Sequence, residues 1–313
     1  MSNLMESERP SEADRFGRWA DLKYSFYLLR RNPIVLAGCV ISVFSVLLAL
    51  LSPLLVNPSS WHAQDLNLRL CWNNPMYNWH IANVFDCAGS VYPLGTDMYG
   101  RSLSNMIILA IPIDLEIALE VVVSAVVIGV IFGSIAAYVG GVIDEIILRI
   151  TDDFLAVPGI LLAIVMIVVM GRSLPVLTFA VLITWWPFYV RLMRSQVLSE
   201  KEKPYVERLR AMGAGATRIL FKHVVPNSIY PVLVQATLDI GAVILTVSAL
   251  TFIGLTPSSL LPELGNLSNQ GIQYIFTAPW LILFPGLTIL VISLGFNLLG
   301  DGIRDIFDPR LRR

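Results

Sequence analysis

Six long apolar runs, separated by polar stretches, dominate the chain, at about 34–56, 115–139, 150–170, 174–192, 228–253 and 280–299. Each lies near the roughly 20 residues that an α-helix needs to cross a bilayer. The pattern predicts an all-α, polytopic membrane protein with six transmembrane helices. Only the short stretch Gly140-Gly141-Val142-Ile143-Asp144-Glu145 joins the second run to the third. Ahead of the first run, Phe16, Trp19, Leu22, Phe26 and Leu29 recur at helical spacing, with Arg15, Arg18 and Lys23 on other faces. That predicts an N-terminal amphipathic helix lying on the membrane surface. Between the fourth and fifth runs the polar stretch 205–227 predicts a helix over 206–212, stopped where Gly213 and Gly215 admit positive φ. A second short helix is predicted from about 216 to 224, ended by Pro226. Two short amphipathic helices joined by a glycine turn make a compact plug for a partner to grip.

Composition agrees with the runs. A mean hydropathy of +0.70 and only 14% charged residues in 313 lie outside the soluble range. A net charge of −1, with no basic patch interleaved with aromatics, argues against nucleic-acid binding. The first 33 residues are polar, without the apolar core of a cleavable signal, so insertion is expected to rest on the first membrane helix. Lys and Arg are distributed unevenly: 19 flank the runs on the side of both termini and of 205–227, against Arg69, Arg101 and Arg172 on the other. The positive-inside rule then predicts cytoplasmic termini and a cytoplasmic 205–227 loop. The expected order is a cytoplasmic segment 1–33, the first span 34–56 and an external loop 57–114. A transport core 115–299, containing the cytoplasmic loop 193–227, and a tail 300–313 complete it.

Chemistry is sparse. Cys39 sits in an apolar run, and Cys71 and Cys87 in the first external loop, where a disulfide and two free thiols both remain open. No C-x-x-C or H-E-x-x-H pattern occurs, and His62, His80 and His223 have no paired base and nucleophile. Asp114, Glu116 and Glu120 flank or enter the second run, and Asp239 falls inside the fifth. Ionisable groups at membrane depth tend to face a bundle interior or a water-filled path. Asp239 is therefore the pathway candidate, with a structural hydrogen bond to a neighbouring helix as the other reading. Gly129, Gly133 and Ala137 mark a close helix–helix contact. The outer loop holds Trp61, Trp72, Trp79, Tyr77 and Tyr92, suited to an interface or a docking surface. The segment 254–279 reads as a last external loop, with Trp280 as an interface anchor and Asn266-Leu267-Ser268 as a glycosylation sequon. No G-x-x-x-x-G-K-[ST] phosphate loop occurs, so energy must come from another subunit or from an ion gradient.

Four motifs carry a resemblance. Glu207-Arg208-Leu209, Gly213 and His223-Val224-Val225-Pro226-Asn227 resemble the E-A-A-x3-G loop of ABC importer permeases, with Arg208 and Leu209 replacing the two alanines. Leu94-Gly95-Thr96-Asp97-Met98-Tyr99-Gly100-Arg101-Ser102 resembles the L-G-T-D-x-x-G-R-D signature of dipeptide, oligopeptide and nickel permeases, with Ser102 in place of the last Asp. Asp97 and Arg101 are expected to form a surface pair worth about 0–1 kcal/mol. Gly140-Gly141, Asp144-Glu145, Arg149, Asp152 and Pro158 resemble a further run of that family. Asp301-Gly302-Ile303-Arg304-Asp305 with Asp308-Pro309-Arg310 resembles its D-G-L-R-D-x-x-D-P-R ending.

The resemblance implies the six-helix type I importer permease fold, with spans two to six as the transport core. It also implies a homologous permease subunit, two ATP-binding ATPase subunits and an external substrate-binding protein as partners in a lipid bilayer. No cofactor is implied in this chain, since ATP and Mg belong to the ATPases. Carried over by position, Glu207, Arg210, Ala211, Met212, Gly213, Ala214, His223, Pro226 and Asn227 would couple to an ATPase. His223 is expected to be a hydrogen-bonding residue rather than a base. Peptides are the expected cargo, with short oligosaccharides or nickel as alternatives. An ion-coupled secondary transporter is the reading from a different class, but the chain shows neither an internal repeat nor ion-coupling groups beyond Asp239.

Overall fold

The computed structural model describes residues 32–57, 93–258 and 261–307. The expected surface helix before the first span, Cys71 and Cys87, the loop aromatics and the 308–313 tail lie outside the described residues.

The described chain is helical, with one isolated bridge between Thr96 and Ser102. Helix α1 spans Pro33–Leu55, α2 Leu103–Val139, α3 Gly141–Ala156, α4 Gly159–Met170 and α5 Leu174–Lys201. The polar segment forms α6, Pro204–Ala211, α7, Ala216–Ile219, a π-helical turn over Leu220–Val224 and α8, Val225–Ser228. Then come α9, Tyr230–Phe252, the short α10, Leu264–Gly271, and α11, Trp280–Phe307. Among the described residues α1, α2, α5, α9 and α11 are each long and apolar enough to cross a membrane, and α3 with α4, bent by 84°, makes six if that pair is counted as one broken span.

The bend has a local cause. Proline has no N–H for the helical ladder and disfavours helical torsions in the residue before it. Val157 accordingly takes extended angles (φ −96°, ψ 132°) ahead of Pro158. The apolar run at 150–170 therefore holds two helices rather than one. At the α2–α3 junction Gly140 and Gly141 adopt φ of 71° and 59°, so the chain reverses with no intervening loop.

The second span begins at Leu103, well before the expected 115. Asp114 is buried beside the Glu263 carboxyl, and its Oδ2 accepts the Leu264 amide at 3.2 Å, whereas Glu116 and Glu120 face outward. A carboxylate with an internal partner does not end a helix.

Helices α2 and α5 pack closely. A Cβ at Gly129 would overlap Tyr189, and one at Gly133 would sit 2.5 Å from the Val190 carbonyl oxygen. Gly129, Gly133 and Ala137 thus form the predicted contact. Two apolar clusters fill the bundle. The larger runs from Leu103 on α2 through Ile167 on α4 to Leu281 on α11. The smaller gathers Tyr189, Met193 and Val197 of α5 with Val206, Ile219, Leu220 and Val224 of the polar segment.

The segment 254–279, expected as a loop, holds a short buried helix. Glu263 N-caps α10 through both carboxylate oxygens, accepting from Gly265 N at 2.9 Å and Asn266 N at 2.7 Å. Most of α10 is buried. The Asn266 side chain is 1% exposed and donates to the Leu261 carbonyl at 2.7 Å, so the sequon is enclosed. Trp280 is buried too, its Nε1 donating to the Thr96 carbonyl at 3.3 Å, rather than facing the interface.

Candidate functional site

Helix α6 ends in a glycine-dependent cap. Gly213 has φ 78°; its N–H reaches the Arg210 carbonyl at 2.9 Å and the Ala214 N–H reaches the Leu209 carbonyl at 3.1 Å. These paired bonds define a Schellman motif, which satisfies the last carbonyls of the helix and needs a left-handed residue at the turn. Gly215 instead has φ −65°, so the expected positive φ holds at Gly213 alone.

The second arm also differs from expectation. Pro226 does not end it: the helical path runs on through α8 to Ser228. At the π turn the Val225 N–H bonds back to the Leu220 carbonyl. This wider turn lets the ring of Pro226 be accommodated without an intact α ladder.

The two arms are tied together and anchored. Asn227 Nδ2 donates to Tyr205 Oη at 3.3 Å and to the His223 carbonyl at 2.8 Å. Tyr205 Oη in turn donates to Glu200 Oε1 at 2.8 Å, and burial pushes the Tyr205 phenol up from its ordinary value, which keeps it a donor. Lys201 Nζ donates to the Ala137 carbonyl at 2.6 Å, closing the C-terminal end of α2. Val206, Ile219 and Val224 sink into the bundle, while Glu207, Arg210, Ala211 and Gly213 are exposed and Met212 is 73% exposed.

Arg194 grips Asp144 with two bonds of 2.6 Å, locking α3 to α5 beside this plug. Arg191 and Asp152 pair nearby, both half exposed.

Asp239 lies near the middle of the 23-residue α9. It is 7% exposed. Tyr189 Oη donates to its Oδ2 at 2.6 Å, and Gln235 Nε2 to its Oδ1 at 2.9 Å. It also lines a cavity of about 430 Å³ between α4, α5 and α9, with Trp185 and Phe188 among the walls. Asp239 thus makes structural hydrogen bonds and also forms part of a cavity wall. Gln235 lies four residues earlier on the same helix face, a partner visible in the sequence. Tyr189 lies fifty residues away, and no local pattern points to it. Among the described residues no group of three or more His, Cys, Asp or Glu is placed to hold a metal ion.

A bundle of this kind, with a capped polar plug and an open cavity at mid-depth, is that of a multi-pass transport subunit. The family of binding-protein-dependent transport system inner membrane components matches residues 129–313. The dipeptide transport system permease protein DppC of Alkalihalophilus pseudofirmus is 35% identical over 307 residues, covering 98% of this chain and 96% of that protein. The oligopeptide transport system permease protein OppC of Bacillus subtilis is 34% identical over 312 residues, covering 100% and 96%. The DppC of Haemophilus influenzae is 33% identical over 294 residues, covering 93% and 96%. The chain belongs to this family: it is a transmembrane permease subunit of an ABC importer and a multi-pass inner membrane protein.

Proposed function

We propose that this subunit, paired with a homologous permease, forms the membrane pathway for short peptides delivered by an external binding protein. Two ATPase subunits, which bind the ATP and Mg, drive it through the plug at 202–229. The dipeptide and oligopeptide names of the relatives support the cargo, and the excess of Lys and Arg beside the plug supports its cytoplasmic placement. Both termini lie on that same side.

The observation that carries the coupling role is the division of labour in the plug. Val206, Ile219, Leu220 and Val224 fix it to the bundle, while residues 210–213 are exposed around the turn, Met212 at 73%. A short helix end seated in a partner's groove transmits rigid-body motion, because its anchored face moves the helices to which it is packed. Glu207, His223, Pro226 and Asn227 shape the plug, and Arg210 to Ala214 make the contact. Asp239 lies on the pathway.

Gly213→Glu tests this. The variant is expected to insert and to pair with its permease partner, yet to abolish peptide uptake and release the ATPases on purification. Uptake at the wild-type rate would overturn the coupling role. Labelling of a cysteine introduced at Arg210 by an impermeant reagent, from the cell interior only, is the expected orientation result.

A further inference from the structure

Asp239 lines the cavity without a cationic partner among the described residues. Tyr189 and Gln235 each donate one bond to it, and among the described residues no Lys, Arg or His side chain pairs with it. A carboxylate has about four lone-pair sites, so acceptor capacity remains on both oxygens. An ionised group at membrane depth is costly unless a partner of opposite charge reaches it.

The walls indicate what kind of cation fits. Trp185 and Phe188 line the cavity, and aromatic faces attract a positive charge within about 6 Å. Apart from Asp239, the polar lining consists of Thr184, Gln235 and Thr246. Asp239 is the only His, Cys, Asp or Glu in that lining, and among the described residues no group of three or more such side chains is placed to hold a metal ion. About 430 Å³ is also far more room than a bare ion needs and fits an organic group of several heavy atoms. Tyr189 and Gln235 hold the carboxylate fixed, so little ordering cost is left for the moment of binding.

We propose that this cavity is an ammonium subsite, in which the amino terminus of a short peptide rests against Asp239 on its way through the permease. The inference rests on the peptide reading above and adds the chemical group that the membrane part recognises. Passage requires that such a site bind weakly, and one fixed carboxylate between aromatic walls meets that need. Substrate handed over by a binding protein thus meets a second, charge-based selection inside the bilayer.

The test uses the assembled transporter with Thr184→Cys in this subunit, at the cavity wall. Alkylation of position 184 by N-ethylmaleimide is followed by peptide-mapping mass spectrometry, with dialanine or N-acetyl-dialanine as protectant and no binding protein present. Dialanine is expected to slow alkylation several-fold and N-acetyl-dialanine to leave it unchanged, with Asp239→Asn weakening protection about tenfold. Equal protection by both compounds, protection unchanged by Asp239→Asn, or no protection at all would each overturn the ammonium subsite. Should Asp239→Asn fail to assemble, methylammonium against acetamide on the Thr184→Cys complex decides the same question, equal protection again overturning it. Uptake of dialanine by the same complex with its binding protein is measured in parallel. Uptake without protection removes the subsite and leaves the peptide reading intact; protection without uptake does the reverse.

Discussion

Arg101 and Asp97 form an ion pair sealed inside the bundle, Nε to Oδ2 at 2.5 Å, with side chains 1% and 3% exposed. Its position corrects the expectation of a surface pair. Asp97 Oδ1 also accepts the amides of Tyr99 and Arg101, each at 2.9 Å, and the guanidinium reaches Gln270 Oε1 of α10 at 3.3 Å. The turn before α2 is thereby pinned to the helix before α11.

Removing one half of such a pair leaves a buried charge alone. Arg101→Ala is expected to cost about 3–5 kcal/mol, read as a large fall in the thermal midpoint and in the yield of the detergent-solubilised complex. Asp97→Asn is expected to cost a similar amount: its amide oxygen still accepts both backbone amides, but the buried Arg101 guanidinium is left without its counter-charge. A loss below about 1 kcal/mol for both variants would show that the charge itself matters little here.

The α2–α5 contact makes a sharper comparison. Gly133→Ala places a Cβ 2.5 Å from a carbonyl oxygen of α5, and overpacking of that kind costs about 1–3 kcal/mol or more. Gly286→Ala on α11 meets nothing within 4 Å and gains up to about 1 kcal/mol of helix propensity. Membrane abundance and unfolding midpoint should fall for the first and hold or rise for the second.

The spans were legible because bilayer crossing is a matter of length and apolarity, both of which survive in a single sequence. What apolarity does not register is direction. Pro158 stood in the open, yet a run of apolar residues reads the same through an 84° bend. Partners distant along the chain were hidden for a different reason. Asp114 looked like a residue at a helix boundary because Leu264, its partner, lies 150 residues on. The enclosure of Glu263, Asn266 and Trp280 likewise comes from packing, while their surroundings in sequence have the composition of a surface loop. At the plug, the Gly213 turn followed from local chemistry, whereas the π turn before Pro226 depends on how the arm seats against α5.

Two ion pairs of similar appearance should behave differently. Arg194 holds Asp144 through two bonds, with side chains 26% and 18% exposed, and a bidentate geometry of this kind gives specificity as well as energy. Arg194→Lys keeps the charge but loses the fork, and is expected to lower stability by about 1 kcal/mol. Arg191 and Asp152 lie about half exposed, so Arg191→Ala should leave the unfolding midpoint unchanged. A fall for Arg191→Ala as large as that for Arg194→Lys would mean that exposure does not set the ranking.

The two glycines of the plug separate turn geometry from mere loop flexibility. Neither has an atom within 4 Å of a built Cβ, so any difference between them comes from the backbone. Gly213 sits at φ 78°, where an L side chain costs about 1–2 kcal/mol. Gly215 sits at φ −65°, where alanine is unstrained and lowers the freedom of the unfolded chain, a gain of about 0.4–1 kcal/mol. Gly213→Ala is therefore expected to loosen the cap that presents Met212, cutting uptake several-fold, with a loss of stability no larger than that strain because the anchor residues are untouched. Gly215→Ala should transport as the wild type does. Were both variants to lose uptake equally, the plug would need mobility at 213–215 rather than the left-handed turn at Gly213, and the presentation of residues 210–214 would have to be sought in a rearranged loop.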